Sequence, residues 1–107
     1  MPRVVNPPSA IQEAVNRRFF AAVETLVSTG AIRSLPGFII DCGLHAPRYR
    51  EMRQQYGAEP VGGSRYTAVE TEALYHLCAD HHVSASWLLT GRGRMMSVVP
   101  KPTTTQP

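Results

Sequence analysis

Ser34 to Tyr56, SLPGFIIDCGLHAPRYREMRQQY, is the stretch that decides how this chain folds. Its apolar residues fall at helical rather than alternating spacing. Phe38, Ile39 and Cys42 make one face, and Tyr49 and Met52, three apart, make another. Between the two runs Cys42-Gly43-Leu44 breaks both patterns, and the glycine permits a tight turn. Ser34 carries the side chain of a helix N-cap, and His45 stands at the matching place before the second run. The pattern predicts two short helices joined by a tight turn, with Arg48, Arg50, Glu51, Arg53, Gln54 and Gln55 left outward.

Such a pair is the layout of a helix-turn-helix, in which the second helix lies in the DNA major groove with basic and amide groups facing out. Outward from it the chain reads as helical throughout. Ala10 to Thr29 carries Ile11, Val15, Phe19, Ala22, Val23 and Leu26 at spacings of three and four, and Gly30 supplies a left-handed end. Arg17-Arg18 on that helix is a basic pair facing solvent or a phosphate backbone, and Ala31-Ile32-Arg33 is a short link. After Tyr56, GAEPVGGSRY is glycine-rich with Pro60 and predicts a loop or loose turn. Thr67 followed by Glu70 predicts a capping box opening a helix with Val69, Ala73, Leu74, Leu77 and Cys78 on one side, ending near Asp80 to His82. Ser84 caps a last helix, Ala85 to Thr90, closed by Gly91. The expectation is an all-α fold of five helices over residues 10–96, with mobile tails at 1–9 and 97–107 where proline and threonine gather.

Composition narrows the function classes. At 107 residues and 43% hydrophobic, the chain can build one core. A net charge of +3 and a pI of about 9.2 suit a polyanion partner, and Lys101 is the only lysine, so the cations are arginines able to grip phosphate or guanine bidentately. Cys42 and Cys78 sit among aliphatics and read as buried thiols of a reducing compartment. The N-terminus has no leader-like pattern and no apolar run approaches the roughly 18 residues of a membrane span, so a cytoplasmic protein without a membrane partner is expected. His45, His76, His81 and His82 with Cys42, Cys78 and Asp80 lack the paired short spacings of a structural zinc site, and no metal or cofactor is expected. Without a phosphate loop, a nucleophile elbow or a carboxylate pair placed for acid-base work, the chain does not read as an enzyme.

The segment VSASWLLTGRGRMM, Val83 to Met96, resembles the end of the Cro and phage-repressor type (XRE-type, lambda repressor-like) helix-turn-helix domains. The pieces that carry the likeness are Leu77-Cys78, then Val83, Ser84, Trp87, Leu88, Leu89, Thr90, Gly91 and Gly93, and the resemblance runs from about Asn16 to Met96. In physical terms Ser84 caps the last helix, Trp87 and Leu88 wedge between the first and fourth helices, and Gly91 allows the closing turn.

The resemblance implies a lambda repressor-like domain that binds double-stranded DNA as a small transcriptional regulator. The second helix of the motif, residues 46–55, would enter the major groove. Positions that usually face base edges are held by Ala46, Pro47 and Glu51; Ala46 can touch a thymine methyl, and Glu51 can accept from cytosine N4. Arg48 and Glu51 are the expected base readers, with Arg50, Arg53 and Gln54 at phosphates or neighbouring edges. Ser34 and free amides of the preceding turn would anchor a phosphate, with Arg33 supplying charge. Across the pair Arg33, Arg48, Arg50 and Arg53 outnumber Asp41 and Glu51. A homodimer on two half-sites is implied, its contact near Trp87 to Met96, with Met95 and Met96 as exposed apolar candidates.

An alternative from another class is a protein-interaction module of the same fold, such as a mobile-element accessory or antitoxin-like factor with weak or no DNA reading. Ala46, Pro47 and the Pro36-Gly37 start of the preceding helix motivate it, because none offers a side-chain hydrogen bond.

Overall fold

Capping residues and left-handed glycines set the limits of most elements in the computed structural model, which describes residues 7–97. Helix α1 (Ala10–Ser28) starts behind Ser9, whose hydroxyl accepts from the Gln12 amide at 3.0 Å. It closes through Thr29 onto Gly30 at φ +84°, a conformation that penalises any Cβ. Ile11 departs from the expected core face and is 74% exposed, because it lies in the first turn, ahead of the buried run that begins at Val15.

Helix α2 (Leu35–Asp41) is capped by Ser34, which accepts from the Gly37 amide at 3.1 Å. The chain reverses through Gly43 at φ +79°, and the Leu44 amide donates back to the Ile39 carbonyl at 3.0 Å. Helix α3 (Ala46–Tyr56) follows. His45 occupies its N-cap position but makes no side-chain cap bond. Pro47 in the first turn has no amide hydrogen, so there is one fewer donor for a cap to satisfy.

The expected capping box at Thr67 does not form. Helix α4 (Thr71–His81) begins later, with Glu70 at its N-cap and no side-chain cap bond. Glu70 is engaged elsewhere: its amide donates to the Tyr49 hydroxyl at 2.9 Å, and that hydroxyl donates to Glu70 Oε1 at 3.0 Å. Val69 is buried as expected, but from extended chain before the helix. Helix α4 ends at His82, left-handed at φ 61°. Helix α5 (Ala85–Thr90) is capped by Ser84 and closed by Gly91 at φ +78°. Beyond it the chain returns to lie beside Val83. The Ser84 amide donates to Met95 O and the Ser97 amide to His82 O, each at 2.8 Å. Ser97 therefore belongs to the folded body, one residue past the expected limit, as does Ser9, which the expected N-terminal tail included; residues 1–6 and 98–107 of the expected tails lie outside the described residues.

Helix α1 packs against each of the other four helices, and α2 packs on α3. Phe19 is fully buried at the centre, with its ring 5.0 Å from Phe20 in an edge contact and 5.8 Å from Tyr49. Ile39, Met52, Leu77 and Leu88 complete this core, and burying each side chain contributes roughly 1.5–3 kcal/mol. Ile32, in the link before α2, joins them. Trp87 is half-buried against the core rather than enclosed by it, as is Met95; of the methionine pair Met96 is the more exposed, at 37%. No helix among the described residues is long and apolar enough to cross a membrane.

Asn16 and Arg18 tie α1 to distant chain by hydrogen bonds. Asn16 is fully buried; its amide nitrogen donates to Thr67 O at 2.9 Å, and its oxygen accepts from the Val69 amide at 3.1 Å and from Gln12 Nε2 at 2.8 Å. Arg18 donates from Nε to Leu88 O at 2.9 Å and from Nη2 to Leu89 O at 3.1 Å. The basic pair on α1 thus has structural work. Arg17 pairs with Glu13 at 3.0 Å and lies over the Tyr56 ring, while Arg18 satisfies carbonyls at the end of α5.

Candidate nucleic-acid interface

Helical geometry sorts the side chains of α3 before any partner is considered. At 100° per residue Ala46, Tyr49, Met52 and Tyr56 fall on the inward side, and all four are buried. Pro47, Arg50 and Gln54, at spacings of three and four, form the outward stripe and are exposed. Arg48, Glu51 and Gln55 form the flank between. They are half-buried rather than outward, because the segment Ser64 to Glu70 is strapped along them.

Arg48 is the main anchor of the strap. Its Nη2 donates to Ala68 O at 2.7 Å, its Nε lies 3.7 Å from Glu70 Oε1, and its guanidinium carbon stands 4.8 Å from the centre of the Tyr66 ring. The Nε is buried without a hydrogen-bond partner, so the Glu70 contact is an ion pair beyond hydrogen-bond reach. The side chain expected to read bases is instead turned into the protein. Tyr49, which bonds Glu70 from the core side, has its phenol pKa raised by burial.

Glu51 is also committed. Its Oε2 accepts from the Arg65 amide at 2.8 Å and from the Ser64 hydroxyl at 3.4 Å, and its Oε1 accepts from Arg65 Nε at 3.2 Å. The Arg65 amide, helped by the guanidinium charge and set against partial desolvation, holds this carboxyl below its ordinary pKa. As placed, it is not open to a cytosine amino group. Ala46 is 7% exposed and sits in the core, so its methyl does not reach outward for a thymine. A position at the start of a helix that packs on a neighbouring helix has a buried face, which its place in the motif does not reveal.

Arg33 and Arg50 form no ion pair with any described residue and are exposed. Arg53 is exposed and lies 3.7 Å from Glu24 on α1. Arg33 and Arg53 line one cavity of about 260 Å³ with Glu24 between α1 and α2, so the link before α2 and the later turns of α3 share a basic flank. Ser34 spends its oxygen on the Gly37 amide and retains its O–H as a donor.

Arg65 went unnoticed in the sequence. Its side chain is 73% exposed, and its guanidinium carbon lies 5.3 Å from the Tyr66 ring centre. The signal for it is the basic-aromatic doublet Arg65-Tyr66 directly after the glycines, a composition that a floppy turn has no need of.

The thiols are both free and half-buried rather than enclosed. Burial, with Asp41 and Asp80 adding negative charge, pushes Cys42 up to about 11, and burial also raises Cys78. Cys42, His76, Asp80 and His81 line a cavity of about 160 Å³, where His76 Nδ1 lies 2.7 Å from Asp80. Among the described residues no three His, Cys, Asp or Glu side chains converge as metal ligands would.

Comparison of the chain with protein-family models, with curated proteins and with solved structures returns no match.

Proposed function

We propose that this chain is a sequence-specific, non-catalytic binder of double-stranded DNA that acts as a small transcriptional regulator in the cytoplasm, without a cofactor. The observation that carries this is the exposed stripe Pro47, Arg50 and Gln54 on the second helix of a pair hinged at left-handed Gly43. In a major groove Arg50 suits guanine O6 and N7, Gln54 suits adenine N6 and N7, and Pro47 offers apolar contact to a thymine methyl. Arg33 and Arg53, which share one flank, would serve as phosphate contacts. One module of this size makes few base contacts, so useful affinity calls for a homodimer on half-sites about one helical turn apart.

Selection of bound duplexes from a random-sequence library at low salt, followed by a salt titration on the winner, tests this. The expected result is an enriched, roughly palindromic site with a steep salt slope. Recovery of unselected sequence overturns it.

A protein-interaction module is the second reading, and a specific observation favours it: Arg48, Glu51 and Arg53 already have partners within the chain. Arg50→Ala separates the two. It weakens and relaxes selective DNA binding on the first reading; on the second, wild type and variant alike select no duplex.

A further inference from the structure

We infer that Arg65 and Glu51 are an exchangeable pair at the DNA surface: Arg65 leaves Glu51 for a backbone phosphate, and the released Glu51 oxygen accepts from a cytosine amino group. This rests on the proposal that α3 enters the major groove and names two specificity residues for that site.

Glu51 borders the outward stripe of α3, one residue after Arg50 and four after Pro47. The pair it makes with Arg65 is lopsided: the Arg65 side chain is 73% exposed and the Glu51 side chain 24%. An ion pair with one partner in water has little net worth, so a phosphate, with more charge and more acceptor oxygens, competes well for the guanidinium. The two oxygens of Glu51 are not equivalent. Arg65 Nε is shared with Oε2 at 3.3 Å, but Oε2 is also held by the Arg65 backbone amide and the Ser64 hydroxyl, contacts that stay when the guanidinium swings away. Oε1 has only the guanidinium and is the atom set free.

The carboxylate is thus pre-aimed, because the strap that carries its backbone donor is fixed at four points: Gln55 to the Ser64 amide, Arg48 to Ala68 O, Tyr49 to Glu70, and Asn16 to Thr67 O and Val69. Opposite a cytosine the freed oxygen gains a donor. Opposite guanine O6 or thymine O4 it faces an acceptor, and the exchange is opposed; adenine offers its N6 donor only beside the N7 acceptor, which repels a carboxylate. The phosphate contact and the base contact therefore come as one event, and a mismatched base pair forfeits both.

The test uses the full chain and the duplex recovered by selection, with wild type, Arg65→Ala, Arg65→Lys and Glu51→Gln measured across a salt series and across single-base variants of the site. One phosphate contact corresponds to a slope of about 0.9 in log K against log salt, so Arg65→Ala should weaken binding about eightfold at about 0.1 M salt and flatten the slope by about 0.9. Arg65→Lys should keep the slope. Glu51→Gln should lose about tenfold of preference at one C·G position and none elsewhere. Arg65→Ala with unchanged affinity and slope, or Glu51→Gln with every base preference intact, overturns the exchange while leaving DNA binding standing. Wild type that enriches no duplex removes the DNA reading itself, and this inference with it.

Discussion

Arg18 Nε donates to the Leu88 carbonyl oxygen at 2.9 Å, so the first helix of the chain closes the end of the last. Helix α5 has six residues, too few to hold together unaided. Hydrogen bonds from a charged donor contribute about 1.5–3 kcal/mol, and Arg18→Ala should cost about 2 kcal/mol in urea unfolding. Gly91→Ala should cost a further, separate amount. Its φ of +78° disfavours any Cβ, and the new methyl would sit 3.1 Å from Arg18 Nη1.

Asn16→Ala should be among the most damaging polar substitutions in the chain. It strands the Val69 amide and the Thr67 carbonyl in a buried place, and a loss of about 2–4 kcal/mol is expected by chemical denaturation. Ile11→Ser, at a residue 74% exposed, should stay within about 0.5 kcal/mol of wild type.

Arg48 and Arg50 should separate stability from binding. Arg50→Ala is expected to leave the melting temperature unchanged and to weaken and relax DNA selection. Arg48→Ala should lower the melting temperature by several degrees, because the strap loses its bond to Ala68 and its stacking on Tyr66. Thermal melts and duplex binding on the same samples check both.

Stability should fall in acid in part through Glu51. Its folded carboxyl ionises below the ordinary value of 4.5, chiefly because it accepts from the Arg65 amide. The stabilisation is therefore complete above that value and disappears as pH falls through the lower, folded one. Glu51→Gln should show a shallower acid limb in urea midpoints measured against pH.

Cys42, raised to about 11, is protonated at neutral pH and should react slowly with Ellman's reagent at about pH 8 in the folded chain. Both thiols should react at the ordinary rate once the chain is unfolded.

What was legible from sequence was what is local. Ser34, Gly30, Gly43, Ser84 and Gly91 each act on their own few residues, and each marks a boundary where the structure has one. The helical spacing of Phe19, Val23, Tyr49, Met52 and Leu77 likewise placed the core. The strap was not legible, because Arg48, Asn16 and Gln55 bond to backbone groups of residues 64–69, and a backbone acceptor looks the same under every side chain. The Thr67-Glu70 pattern misled for a related reason: Glu70 had a better partner in Tyr49, 21 residues away. For the candidate site, spacing gave the outward stripe of α3, but which arginines were already engaged depended on Glu24, Glu51 and Glu70 arriving from three different segments.

The buried Asn16 also sets how much chain must be present before α1 has all of its partners. Besides Gln12 in its own helix, the partners of Asn16 lie 51 and 53 residues downstream, and those of Arg18 lie 70 and 71 downstream. Gln12 and Glu13 answer neighbours within α1, but among the described residues only Thr67 accepts from the Asn16 amide nitrogen. A chain that stops short of Leu89 therefore leaves α1 without all of its partners, so the helix is held by contacts of high sequence separation rather than by its neighbours in sequence.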